Sequence, residues 1–138
     1  MALYAYNVGT QSVAAGAPIV FADVGIPGDC GVSAIPGSSA ATIRKPGLYL
    51  VSVQVDAVAG AAGALTFSLR RNGAAVPAAQ ASVTAADATG THSFAFTAPL
   101  IVLPNCCSVR GNLPAALTVE ASAAASVTNA AISVVKVG

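Results

Sequence analysis

Apolar and polar positions alternate along most of this chain with a period of two. The clearest run is RKPGLYLVSVQV at 44–55. Pro46-Gly47 interrupts the chain, then Tyr49, Val51, Val53 and Val55 point to one side while Ser52, Gln54 and Asp56 point to the other, which is strand rather than helix periodicity. Residues 64–70 repeat the pattern, with Leu65, Phe67 and Leu69 alternating with Thr66, Ser68 and Arg70. Residues 92–103 carry Phe94 and Phe96 in alternation and then turn continuously apolar. Further on, Leu117, Val119 and Ala121 alternate with Thr118, Glu120 and Ser122. The last segment, 130–137, contains Ile132 and Val134 and is apolar on both sides, as a central strand buried on both faces would be. Shorter strand-like pieces lie at 3–8, 19–21 and 41–44.

Asn72-Gly73, between 64–70 and a return segment at 74–82, predicts a tight hairpin, because both residues tolerate positive φ. The Ala-rich stretches 57–64 and 121–125 are too short and too rich in Gly and Ser to hold a helix. About eight to ten short strands separated by turn signals predict an all-β antiparallel sandwich or barrel. It forms one domain over 1–138, with 1–16 as either an extended arm or a first strand. The expected core and assembly strands are those of Tyr49, Val51, Val53, Val55, Leu65, Phe67, Leu69, Phe94, Phe96, Ile132 and Val134.

Within this pattern, PGLY at 46–49 followed by Val51, Val53 and Val55 resembles the "pGxYxv" strand of the C1q/TNF-like jelly rolls. It is most similar to the bacterial and phage branch found at the C-termini of BclA-type collagen-like spore-surface proteins. SVAAG before IVF resembles that family's first strand, LTFSLRRNGAAV its "l-l-kNG-v" hairpin, and NAAISVVKV its last strand. The resemblance runs over nearly the whole chain. Two features depart from it: there is no Gly-X-Y stalk, and LPNCCSVRGNLP at 103–114 replaces the usual "GD" turn. The resemblance implies a jelly roll of about ten strands. It also implies a tight homotrimer, presented as a rigid head at a surface.

Composition sharpens this picture. Charged residues are 8% and hydrophobic residues 55%, against roughly 25% charged in an ordinary soluble domain. Such a chain sits in a membrane or covers much of its surface with other chains. A spanning helix needs about 20 unbroken apolar residues, and the best stretch is broken by Asp56, glycines, Thr66 and Ser68. A membrane barrel needs aromatic girdles, but aromatics are 5% and Trp is absent. Self-association is therefore expected, without membrane insertion. The net charge is +1 and the cations are scattered, with Arg44-Lys45 and Arg70-Arg71 the only pairs, so a nucleic-acid stripe is not expected. These pairs fit solubility and protection of strand edges, or contact with an anionic glycan or another subunit. MALYAYNVGTQS has neither a basic segment nor a long apolar core, so a classical signal peptide is not expected.

Candidate chemistry is sparse. Cys106 and Cys107 are adjacent and Cys30 is distant, which is poor spacing for a metal. A disulfide from Cys30 to one of the pair, a cross-link between chains, and buried free thiols all remain open. His92 is the single histidine, and in a strand it faces away from Ser93. Asp23, Asp29, Asp56, Asp87 and Glu120 are dispersed, too far apart for paired acid–base work. Asp23 and Asp29 flank GIPGDCG, where turn formation competes with calcium and better fits the low acid count. No cofactor is expected.

The expected function is non-enzymatic: a trimeric structural module on a phage virion or a bacterial spore or cell surface. A sharper variant makes it a subunit of a fibre, with 3–13 donated to a neighbour's sheet. The alternative is a glycan- or receptor-binding adhesion module, for which Tyr4, Tyr6 and Tyr49 are the only tyrosines.

Overall fold

In the computed structural model, which describes residues 2–103 and 114–138, the alternating segments become ten strands. These are β1 (Ala2–Val13), β2 (Asp23–Ile26), β3 (Val32–Ala34), β4 (Ala41–Ile43), β5 (Gly47–Ala59), β6 (Gly63–Arg71), β7 (Ala74–Ala85), β8 (Thr91–Val102), β9 (Ala115–Ala121) and β10 (Ala125–Lys136). They form two five-stranded sheets, ordered β2-β1-β10-β5-β8 and β3-β4-β9-β6-β7. Every pairing is antiparallel. The first and last long strands are neighbours, and the chain crosses repeatedly between the sheets (β2 to β3, β4 to β5, β5 to β6, β7 to β8, β8 to β9, β9 to β10), which is a jelly roll.

The period-two pattern places one side of each strand between the sheets. Tyr49, Val51, Val53, Val55, Ile132 and Val134 of the first sheet meet Leu65, Phe67 and Leu69 of the second, and all are buried. Phe94 and Phe67 join the sheets edge to face, with ring centroids 4.8 Å apart at 69°. The Tyr49 hydroxyl escapes burial without a partner by donating to the Lys45 carbonyl at 2.7 Å. Phe96 departs from expectation: it is only half-buried and packs against the core's margin. It points inward from β8 like Phe94, Ala98 and Leu100, which are buried, and it is packed against the core only in part.

The Asn72-Gly73 hairpin is present, with φ of 51° and 83°, the signs that a two-residue turn of this hand requires. Asn72 also ties this turn to β9. Its amide donates to the Ala116 carbonyl and its Oδ1 accepts the Ala116 amide, both at 2.9 Å.

Two expectations change and one open alternative is resolved. Residues 19–21 are not a strand. Ile19 donates to Val119 and Phe21 to Ser38, so neighbouring residues bond to different elements and no ladder forms, although both side chains are buried. The last strand starts at Ala125 rather than 130, with an irregularity between Val127 and Asn129 that lets it continue along β5. The N-terminal segment is a first strand, docked between β2 and β10 of its own sheet.

Candidate assembly face

The outer side of the β2-β1-β10-β5-β8 sheet is ordered in rows by its register. Leu48 lies opposite Ile101 at one end. The next row is Ala2, Val135, Leu50 and Pro99; then Tyr4, Ser133, Ser52 and Thr97; then Tyr6, Ala131, Gln54 and Ala95; then Val8, Asn129, Asp56 and Ser93. Apolar side chains dominate the first two rows and polar ones the last. Leu48, Leu50 and Val135 are 38–40% exposed and Ile101 56%, so large aliphatic groups lie side by side in water. Ser52 and Thr97 hydroxyls are 3.3 Å apart, and Ser93 donates to Asp56 at 2.8 Å. A shallow groove of about 240 Å³ runs between Tyr4, Ser52, Gln54, Thr97 and Ser133.

The opposite sheet's outer side is built differently. Thr42, Thr118, Glu120, Ser68, Arg70, Thr66, Ser82 and Gln80 face out across β4, β9, β6 and β7. Arg70 and Glu120 form an ion pair at 2.7 Å, and Thr66 and Ser82 share a hydroxyl hydrogen bond. This is an ordinary solvated face; the first is not.

The tyrosines mark the edge of the apolar sheet. Tyr4 and Tyr6 rings lie 5.6 Å apart. They cover Gly25 of β2, where a Cβ would stand 2.9 Å from Tyr4 Cδ2 and 3.1 Å from Tyr6 Cε1. Read as punctuation in the sequence, that glycine instead makes room for two rings, so β2 escapes a sequence reading. The exposed aliphatic rows did leave a trace: GLYLV and APLIV are continuous where strict alternation would place polar residues.

The remaining predicted residues do not converge on a reactive centre. Cys30 is exposed on the β2–β3 loop with a free thiol, not buried, because it lies on an outward loop beside Asp29; Cys106 and Cys107 lie outside the described residues. Asp29 shapes that loop, its Oδ1 accepting the amides of Gly31 at 2.7 Å and Val32 at 3.3 Å. The Gly31 amide is the main reason its carboxyl is held below the usual 3.8. Asp87 is lowered chiefly by the Thr89 hydroxyl, at 2.7 Å. His92 is half-buried on the side of β8 opposite Ser93, and Ser93 is engaged by Asp56. Among the described residues no three metal-ligating side chains cluster.

No family model and no curated protein matches this chain. Solved structures do. The Eiger TNF of S. frugiperda aligns with a TM-score of 0.74 at 16% identity, over 100% of this chain and 92% of that one. Murine APRIL aligns with a TM-score of 0.71 at 12% identity, over 99% and 100%. The PRD1 vertex protein P5 aligns with a TM-score of 0.54 at 15% identity, over 99% and 96%. The fold is thus a TNF-like jelly roll across its full length.

Proposed function

We propose that this chain is a non-enzymatic structural module: a homotrimeric jelly roll displayed on a phage virion or on a bacterial spore or cell surface. The carrying observation is the contrast between the two outer faces. One is a mixture of Thr, Ser and an Arg–Glu pair, and the other opens with Leu48, Ile101, Leu50, Pro99 and Val135 in adjacent rows. Exposed aliphatic rows of this kind mark an interaction surface. A second copy suits them, because a chain with 8% charged residues gains little from leaving them wet. Three copies is the number implied by the resemblance of PGLYLVSVQV to C1q/TNF-like strands. Likeness to a viral vertex protein supports the virion setting; the spore setting rests on the sequence resemblance alone. A fibre made by strand donation has less support, since β1 is already paired on both sides.

The test is the mass in solution by light scattering. The wild type is expected at three chains. Leu50→Asp is expected at one, because an aspartate in that row would be buried unpaired, at several kcal/mol per contact. A single-chain wild type sinks the proposal. The groove beside Tyr4 favours a second reading, in which the Ser52, Thr97 and Ser133 hydroxyls hold a sugar. A single-chain protein that binds on a glycan array would favour that reading instead.

A further inference from the structure

Charge in this molecule is sorted along its long axis. Of six Lys and Arg, five are described, and three chain segments bring them to the same end of the sandwich. Arg44 and Lys45 precede β5, Arg70 and Arg71 end β6, and Lys136 ends β10. The contacts confirm their grouping. The Lys136 stem lies over Gly47, where a Cβ would be 2.6 Å from its Cε. Arg71 donates to the Ile101 carbonyl at 2.9 Å, and Ile101 is paired with Leu48, next to Gly47. Arg44 reaches Ser33.

Arg70 is neutralised by Glu120; Arg44, Lys45, Arg71 and Lys136 have no acidic partner within ion-pair distance among the described residues. Asp29 is the acidic side chain at that end, and its Oδ1 is committed to the loop amides; Gly138 also lies there, its oxygen accepting the Leu48 amide at 2.9 Å. At the opposite end stand Asp56 and Asp87, beside His92. Among the described residues, the Lys and Arg side chains without an acidic partner all lie at this one pole.

We propose that this pole is a binding site for a polyanionic glycan, one bearing sulfate or carboxylate groups along its length. The inference rests on the threefold reading, because a closed ring turns three copies of the set toward the same side, and multivalent contact then raises a weak affinity steeply. Four separated cations suit repeated anions on a flexible chain. Single-stranded nucleic acid would want aromatic rings for base stacking, and at this pole the described aromatic, Tyr49, is buried with its hydroxyl held by Lys45.

The test is retention on immobilised heparin, with the mass measured on the same sample. The wild type is expected to stay bound at about 0.15 M NaCl. Lys45→Gln combined with Lys136→Gln removes two exposed charges without touching the core, and is expected to bind about tenfold more weakly with a shallower salt dependence. Asp87→Asn raises the net charge at the far pole and is expected to change nothing. Flow-through of a trimeric wild type overturns the site and leaves the trimer standing. A single-chain mass overturns the trimer. Retention that follows net charge, with Asp87→Asn bound more tightly than the wild type, overturns the site, and so does a double variant that binds as tightly as the wild type. Elution by duplex DNA at lower anion concentration than by free heparin overturns the glycan assignment.

Discussion

At the scale of single residues, the fold depends on a few positions where no other side chain fits. Gly28 is the sharpest. A Cβ there would lie 1.5 Å from the Val32 carbonyl oxygen, and this neighbour is backbone at the start of β3, so it cannot swing aside. Gly28→Ala is expected to cost at least about 2 kcal/mol, read as a fall in the thermal midpoint; an unchanged midpoint would contradict the loop's geometry. Asp29 completes the same loop. Its carboxyl is lowered from 3.8, mainly by the Gly31 amide. A group lowered in the folded state contributes stability that is present above its unfolded value and lost as pH falls through its folded value. The thermal midpoint should therefore fall on acidification from above 3.8 downward, and Asp29→Asn should flatten that part of the profile. An identical acid profile in the variant would show that the loop draws nothing from the ionised carboxylate.

At the scale of elements, β7 is an edge strand and carries a protective irregularity. Its register with β6 shifts between Ser68 and Arg70. Opposite that shift Pro77 has no amide to offer, and Ala78 takes φ of 61°. An edge bent in this way resists pairing with another chain. Alanine is a poor resident of the left-handed region, at about 1–2 kcal/mol, and glycine gives part of that back as chain entropy. Ala78→Gly should stabilise the protein by roughly 0.5 kcal/mol, measured by denaturant midpoint; destabilisation would mean that the methyl group packs more than it strains. The long strands were legible because one face of each meets a continuous core, so alternation is enforced. The hairpin was legible because Asn72-Gly73 carries its own backbone signature. β2 and β3 were not, since they enter or border the Gly- and Pro-rich stretch GIPGDCG at 25–31, which reads as a loop, and Gly25 answers to Tyr4 and Tyr6 rather than to its own strand. Residues 19–21 misled for the opposite reason: they are apolar, and Ile19 and Phe21 are buried, yet they bond to several elements in turn. The assembly face was half legible, since the two leucines that interrupt GLYLV mark it but only the register aligns them with Ile101, Pro99 and Val135.

At the scale of the whole molecule, a subunit that leaves Leu48, Leu50, Ile101 and Val135 in water is expected to gain stability from its neighbours. Association linked to folding makes the thermal midpoint rise with protein concentration. The wild type should show this rise in scanning calorimetry, and Leu50→Asp should lose it; a midpoint independent of concentration would argue against a subunit interface on this face. The strand order has another consequence, for the order of events as the chain is made. β10 lies between β1 and β5, so the sheet cannot close until residues 125–136 have been synthesised. Until then the first strand waits beside β2 alone, and β5 beside β8 alone, with their apolar sides open. Pairing β1 with β10 is slow, because every strand between them must be looped before the contact forms. A nascent chain of this design spends its longest interval as two unjoined half-sheets, and that interval is when it is most exposed to aggregation.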